Sequence, residues 1–152
     1  MTPGEVEVDY LDTSYLLKLY AQEYGSAEVT AWRTGRRGFV CSRHGKLELV
    51  SGLKRHQREG RIDASGVRQS LAQLAKDEAS RLIVWLPVGN ALFEDACARL
   101  TALQPSVFIR AADALHLACA ARIGLTAIYS HDRHLLAAAP HFGLHGLDIL
   151  SS

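Results

Sequence analysis

The stretch RAADALHLACAARIG, residues 110–124, constrains the fold more than any other part of the chain. It is built almost wholly from Ala, Leu, Cys and Ile, and it predicts a helix over 110–122 that Gly124 ends. A helix that is apolar on nearly every side is buried on nearly every side, so other layers of the protein must cover it. Yet Asp113 and His116 stand near its start. The attraction of a helix N-terminus for negative charge, about 0.3–1 kcal/mol at an exposed site, offsets little of the cost of burying a carboxylate. Something positive must meet Asp113, or it must take up a proton.

The rest of the chain supplies the covering layers. Residues 5–11 alternate Val6, Val8 and Tyr10 with Glu7 and Asp9, a strand that runs into Asp12, Thr13 and Ser14. Short helices are expected over 15–20 and 26–33, and a buried strand over 39–42. Apolar residues at 47, 49, 50 and 53 predict a helix over 47–58. Asp63 or Ser65 caps another that reaches about Ser80. A strand over 82–86 ends at Pro87, and a helix follows over 90–103. After the helix over 110–122 come a strand over 127–130, a helix over 133–139 capped by Asp132, and a last strand over 144–150. Short apolar strands that alternate with helices predict an α/β fold whose mostly parallel sheet, of about four to five short strands, is flanked by helices. With 152 residues, and neither an internal repeat nor a linker, the expectation is one domain over 1–152.

Charge is unevenly spread. The net charge of +1 hides a basic segment, residues 33–61, with nine Lys/Arg against two Asp/Glu, and an acidic remainder with eight against fourteen. The N-terminus lacks a signal-peptide pattern, and no apolar run is long enough to span a membrane. Cys41, Cys97 and Cys119 have no paired spacing and are expected as buried free thiols in a reducing compartment. The expectation is a cytoplasmic protein with no membrane association.

Four acids fall where open α/β sheets build sites, beyond the carboxyl ends of strands. Asp12 ends the first strand, and Glu48 lies one turn into the helix after the second. Asp113 is in the first turn of the buried helix, and Asp132 follows the strand over 127–130. Singly, each has an ordinary use: Asp12 and Asp132 as helix caps, Asp113 beside Arg110, Glu48 as a solvated helix residue. Together they would repel one another, and a divalent cation resolves the conflict. Oxygen-only ligands point to Mg²⁺ or Mn²⁺ rather than zinc.

The blocks that hold these acids, YLDTSYLLKLYAQEYGS, SRHGKLELVSGLKRHQREGRI, RAADALHLACAARIG and IYSHDRHLLAAAPHFGL, run in order over nearly the whole chain. The sequence resembles the PIN-domain ribonucleases, and within them the VapC-type toxins of prokaryotic toxin–antitoxin pairs. The resemblance implies a single PIN-like domain and a metal-dependent endoribonuclease that hydrolyses RNA phosphodiester bonds. Its catalytic and metal-binding acids would be Asp12, Glu48, Asp113 and Asp132. Asp12 and Asp113 are taken as the main inner ligands, with Glu48 and Asp132 acting through water or on a second ion. The resemblance further implies RNA as substrate, an antitoxin as protein partner and a homodimer. Two features depart from the family pattern: Ser130 stands where Thr is common, which keeps a hydroxyl, and Gly45 is expected to loosen the start of the helix that carries Glu48.

Other residues have two readings each. Thr13 and Ser14 serve as helix caps, as hydroxyls beside a metal or phosphate, or as both. His116, three residues after Asp113, is read as a packed, hydrogen-bonded histidine before a proton shuttle. The spacing of His131 and His134 around Asp132 is weak evidence for a metal site. In the basic segment, Arg36, Arg37, Arg43, Lys54 and Arg55 face RNA phosphates, an acidic partner segment, or only solvent. Leu16, Leu17, Tyr20, Leu49, Val50 and Leu53 form core or an apolar groove. Two other functions stay open: a PIN-like module that binds RNA or a partner without catalysis, and another Mg²⁺-dependent phosphohydrolase. The second is disfavoured, because Asp9 and Asp12 lie three apart on a strand and so face opposite ways.

Overall fold

The computed structural model describes residues 8–151. Strand β1 (Asp9–Tyr10) leads into helix α1 (Thr13–Tyr20), and α2 (Ser26–Thr34) follows. Strand β2 (Phe39–Ser42) feeds α3 (His44–Arg58) and α4 (Ala64–Ala79), and β3 (Ile83–Leu86) feeds α5 (Asn90–Ala102) and α6 (Ala111–Arg122). Strand β4 (Ala127–Tyr129) precedes α7 (Arg133–Ala138), a 3₁₀ turn (Ala139–Phe142) and β5 (His145–Leu147).

All strand pairings are parallel: β1 with β2, β2 with β3, and β4 with β5. The two groups meet at one parallel bridge between Leu11 and Tyr129, where the Asp12 amide also donates to the Tyr129 carbonyl at 3.1 Å. The strand order is therefore β3-β2-β1-β4-β5, and β1 lies at the centre. The expected α/β fold with a parallel sheet of four to five strands is the fold observed. Between β1 and β4 the order reverses, and crevices at such reversals are where open α/β sheets place their ligands.

Burial follows the sequence pattern. Leu11, Cys41, Ile128 and Leu117 are fully or almost fully buried, and α6 buries Ala114 and the whole run 116–120. Gly124 adopts a positive φ of 81°, the left-handed conformation that ends α6. Leu16, Leu17, Tyr20, Leu49 and Leu53 are core, so the apolar stripe of α1 and α3 is mainly structural.

Several boundaries differ from expectation. Residues 5–7 of the first strand lie outside the described residues, and the ladder is only Asp9–Tyr10. Helix α3 starts at His44 rather than at 47; its first turn lies against β2 and, through His44, against Ala112 and His116 of α6. Gly45 does not loosen that turn: a Cβ there would lie 2.5 Å from Cys41 Sγ and 3.2 Å from His116 Cε1, so glycine permits the close approach. Asp63, not Ser65, caps α4 by accepting from the Gly66 amide at 2.8 Å. Cys97 is exposed, on the outer face of α5; Cys41 and Cys119 are buried as expected. Among the described residues, no helix is long and apolar enough to cross a membrane.

Candidate functional site

Asp12 leaves the end of β1 in extended backbone and caps α1, accepting from the Tyr15 amide at 3.2 Å. Its carboxylate is almost fully buried and accepts two short hydrogen bonds, from Ser14 Oγ to Oδ1 and from Ser130 Oγ to Oδ2, both 2.6 Å. Burial raises its pKa, while the nearby His116 and the bonds from Ser130 and Ser14 work the other way. The capping role weighed for Thr13 and Ser14 thus belongs to Asp12. Their hydroxyls hold acids instead: Thr13 Oγ1 donates to Glu48 Oε1 at 2.9 Å. Ser130 also ties in the fourth acid, since its oxygen accepts from the Asp132 amide at 2.9 Å. Asp132 caps α7 through the His134 and Leu135 amides, at 2.8 and 3.1 Å.

Glu48 is held from α6. His116 Nε2 lies 2.8 Å from Glu48 Oε1, and His116 Nδ1 lies 2.8 Å from the Tyr10 hydroxyl, which accepts from the Ser42 amide. His116 is therefore the packed, hydrogen-bonded residue expected, and its partner is a site acid. Burial opposes its charge, but the hydrogen bond to Glu48 and that carboxylate's charge raise the imidazole above its ordinary value. Burial itself raises the Cys41 thiol, which stays neutral, so Glu48 is the anion that His116 faces. Glu48 responds in kind: burial pushes its pKa up, but His116 and Thr13 outweigh this and lower it.

His44 is a site neighbour that sequence reasoning missed. Its Nε2 lies 3.5 Å from Glu48 Oε1 and 3.0 Å from the Ala112 carbonyl, and its Nδ1 lies 2.8 Å from Ser42 Oγ. Burial, then the neighbouring His116, lowers its pKa to about 4. A signal was present: His44 and Glu48 stand four apart, on one helix face. Among the described residues, His44, Glu48 and His116 are the one group of three ligand-type side chains whose donor atoms lie within 4.8 Å of one another.

Asp113 behaves differently from the other acids. It is half-buried in the first turn of α6 and makes no side-chain hydrogen bond or ion pair among the described residues. Burial, then the Asp132 carboxylate, push it up to about 6; His116 pulls the other way, and Asp12 and Glu48 add smaller pushes upward. The four acids therefore share one electrostatic neighbourhood. Among the described residues, however, no three of these acids bring ligand oxygens within 4.8 Å of one another; oxygen donors of this kind would suit a hard divalent cation.

A groove of about 460 Å³ opens beside Glu48, lined by Thr13, Ser14, Leu17, Leu47, Arg55 and Arg58 among others. Arg55 and Arg58, both in the basic segment, give it a basic wall. Arg37, Arg43 and Lys54 are exposed elsewhere on the basic segment. Arg36 is engaged structurally: it donates twice to Asp9, at 2.7 and 2.8 Å, and lies over the Trp32 ring. His131 turns to Asp148 at 2.7 Å and His134 packs on Phe108, so the two do not converge on a metal site.

The fold has counterparts among solved structures. The chain is similar in fold to the VapC20 toxin of Mycobacterium tuberculosis, described as cleaving the sarcin-ricin loop, with 19% identity, a TM-score of 0.66, and coverage of 85% of this chain and 93% of that one. It is also similar to PAE2754 from Pyrobaculum aerophilum, with 23% identity, a TM-score of 0.61, and coverage of 93% and 90%. Among curated proteins there is no match. The PIN domain family model matches residues 10–140, from the end of β1 to the turn after α7, and the chain belongs to that family.

Proposed function

We propose that the protein is a Mg²⁺- or Mn²⁺-dependent endoribonuclease, and the toxin of a toxin–antitoxin pair. The observation that carries this reading is Asp113, a half-buried carboxylate with three acid neighbours and no cationic side chain paired to it. Asp12 and Asp113 would hold the ion directly, and Glu48 and Asp132 would support it through water or a second ion. A divalent cation bound there supplies an activated water and offsets charge that develops at phosphorus. The chain's own residues do the positioning. Ser14 and Ser130 fix both oxygens of Asp12, and Thr13 and His116 orient Glu48. Arg55 and Arg58 attract the RNA backbone to the groove beside them. The likeness to VapC20, described as a sarcin-ricin loop cleaving toxin, supports the reading of a toxin that cleaves, and the basic wall favours RNA as the substrate class. An antitoxin that covers the site, a homodimer and action in the cytoplasm complete the reading by family resemblance.

The test is cleavage of structured RNA by the purified protein with Mg²⁺, Mn²⁺ or EDTA, beside Asp113→Asn. Cutting that needs metal and is lost in the variant supports the assignment. Equal cutting by the variant, or cutting in EDTA, overturns it. Binding of RNA without cutting of ribosomal RNA, transfer RNA or synthetic loops would favour a binding module.

A further inference from the structure

We propose that His44, Glu48 and His116 form a second metal site, selective for Zn²⁺ over Mg²⁺, and that zinc held there withdraws Glu48 from the acid cluster and stops cleavage. The inhibitory half of this proposal rests on the nuclease reading above; the binding half does not.

The donor set is the first argument. Two imidazole nitrogens and one carboxylate oxygen match the three-ligand zinc sites that keep a further position open, whereas magnesium prefers oxygen donors and retains its waters. Geometry is the second. An ion with bonds of zinc length sets tetrahedral ligand atoms roughly 3.4 Å apart. Here His116 Nε2 lies 2.8 Å and His44 Nε2 lies 3.5 Å from Glu48 Oε1, and all three donors lie within 4.8 Å of one another. Zinc would take the place of the proton between His116 Nε2 and Glu48, which leaves to solvent as the donors shift around the ion, and the two rings already stand with centroids 4.2 Å apart.

The third argument is what lies behind the ligands. Metal-binding histidines usually use their far nitrogen in a hydrogen bond that fixes the ring and its tautomer. Both rings have such a partner. His44 Nδ1 meets Ser42 Oγ, and His116 Nδ1 meets the Tyr10 hydroxyl, each at 2.8 Å. Ser42 and Tyr10 are themselves fully buried. A hydroxyl both donates and accepts. Ser42 can therefore serve the tautomer in which His44 Nε2 donates to the Ala112 carbonyl, and equally the one in which Nε2 faces a metal. Gly45, which lets α3 approach His116, completes the framework. Glu48 also lines the groove, so an ion at this site has a route to solvent and room for a water as its fourth ligand.

The experiment uses the metal-free full-length chain. Zn²⁺ affinity is measured by competition with a chromophoric chelator in excess Mg²⁺, and Co²⁺ is titrated as a spectroscopic probe. One zinc per chain and visible absorption typical of a tetrahedral Co²⁺ site are expected. His44→Ala, checked for fold by circular dichroism, should weaken zinc at least about 10-fold, and Ser42→Ala about 10-fold. In the cleavage assay with Mg²⁺, added zinc should inhibit over the range in which it binds. His44→Ala should shift that range by the same factor, relative to its own zinc-free rate. Zinc binding unchanged in His44→Ala overturns the site, whatever the nuclease assay shows. Zinc that binds as expected while cleavage continues overturns the inhibitory role. If zinc binding depends on His44 but no RNA is cut with Mg²⁺, the nuclease reading falls with the inhibitory role, and the site stands.

Discussion

His116 Nε2 lies 2.8 Å from Glu48 Oε1, an ion pair that joins α6 to α3. A charge pair of this kind adds little when compared with an apolar replacement, but breaking it leaves one charge stranded. His116→Ala should therefore destabilise the fold by about 3–5 kcal/mol. In the double variant with Glu48→Gln the loss should fall short of the sum of the single losses by about 1–3 kcal/mol. Urea unfolding of the four proteins measures this coupling; additive losses would mean that the pair is not an energetic unit.

Asp113→Asn should separate stability from activity. Removing a half-buried charge that three carboxylates oppose should raise the melting temperature in EDTA by a few degrees, a gain on the order of 1 kcal/mol. The same change should lower metal-dependent cleavage at least about 100-fold. Thermal melts and single-turnover assays on one preparation test both. A less stable variant would show that Asp113 serves the fold.

Gly45→Ala tests the close contact between α3 and the layer beneath. The added methyl would meet Cys41 Sγ and His116 Cε1, and neither is free to swing aside in the core. A loss of about 1–3 kcal/mol is expected, the usual cost of overpacking. An unchanged or higher melting temperature would contradict this, since alanine is otherwise the better helix former.

Asp148 carries a pH-dependent part of the stability. Burial pushes its carboxyl upward, but hydrogen bonds from Tyr15, His131, the Leu150 amide and Ser151 prevail and hold it below the usual range. A depressed folded pKa gives stability that is complete above the unfolded value, about 3.9, and is lost as pH falls through the folded one. Asp148→Asn should thus cost about 1–2 kcal/mol at pH 7, and its deficit against the parent should shrink below about pH 4. Chemical denaturation between pH 3 and 7 gives the two curves. A constant gap would assign the loss to packing.

Much of this was legible in the sequence, because the signals were local. Alternation and apolar runs gave the strands, and the Ala-rich stretch gave α6. Asp12, Asp63 and Asp132 each sit before a helix and cap it. What escaped was set by tertiary contact. His44 fell outside the helix expected over 47–58, and its place beside Glu48 depends on α6 coming to rest against it. Tyr10 read as a strand core residue, although its hydroxyl supports His116 from 106 positions away. Gly45 looked like a weak point because helix propensity cannot register that Cys41 and His116 need its space. Arg36 read as a surface cation, and its engagement with Asp9 depends on how β1 and β2 align.

Among the described residues the sheet is joined at its middle by a single bridge, Leu11 to Tyr129, and the candidate acids stand on both sides of it: Asp12 and Glu48 with one half, Asp132 with the other. A seam with few backbone bonds opens at less cost than a full ladder. Ser130, which bonds Asp12 across that line, is a stitch, and an ion gripped by acids from both sides would be a clasp. The occupancy of the site then becomes readable far from any chemistry, as slowed hydrogen exchange at the amide of Asp12 when the clasp is closed.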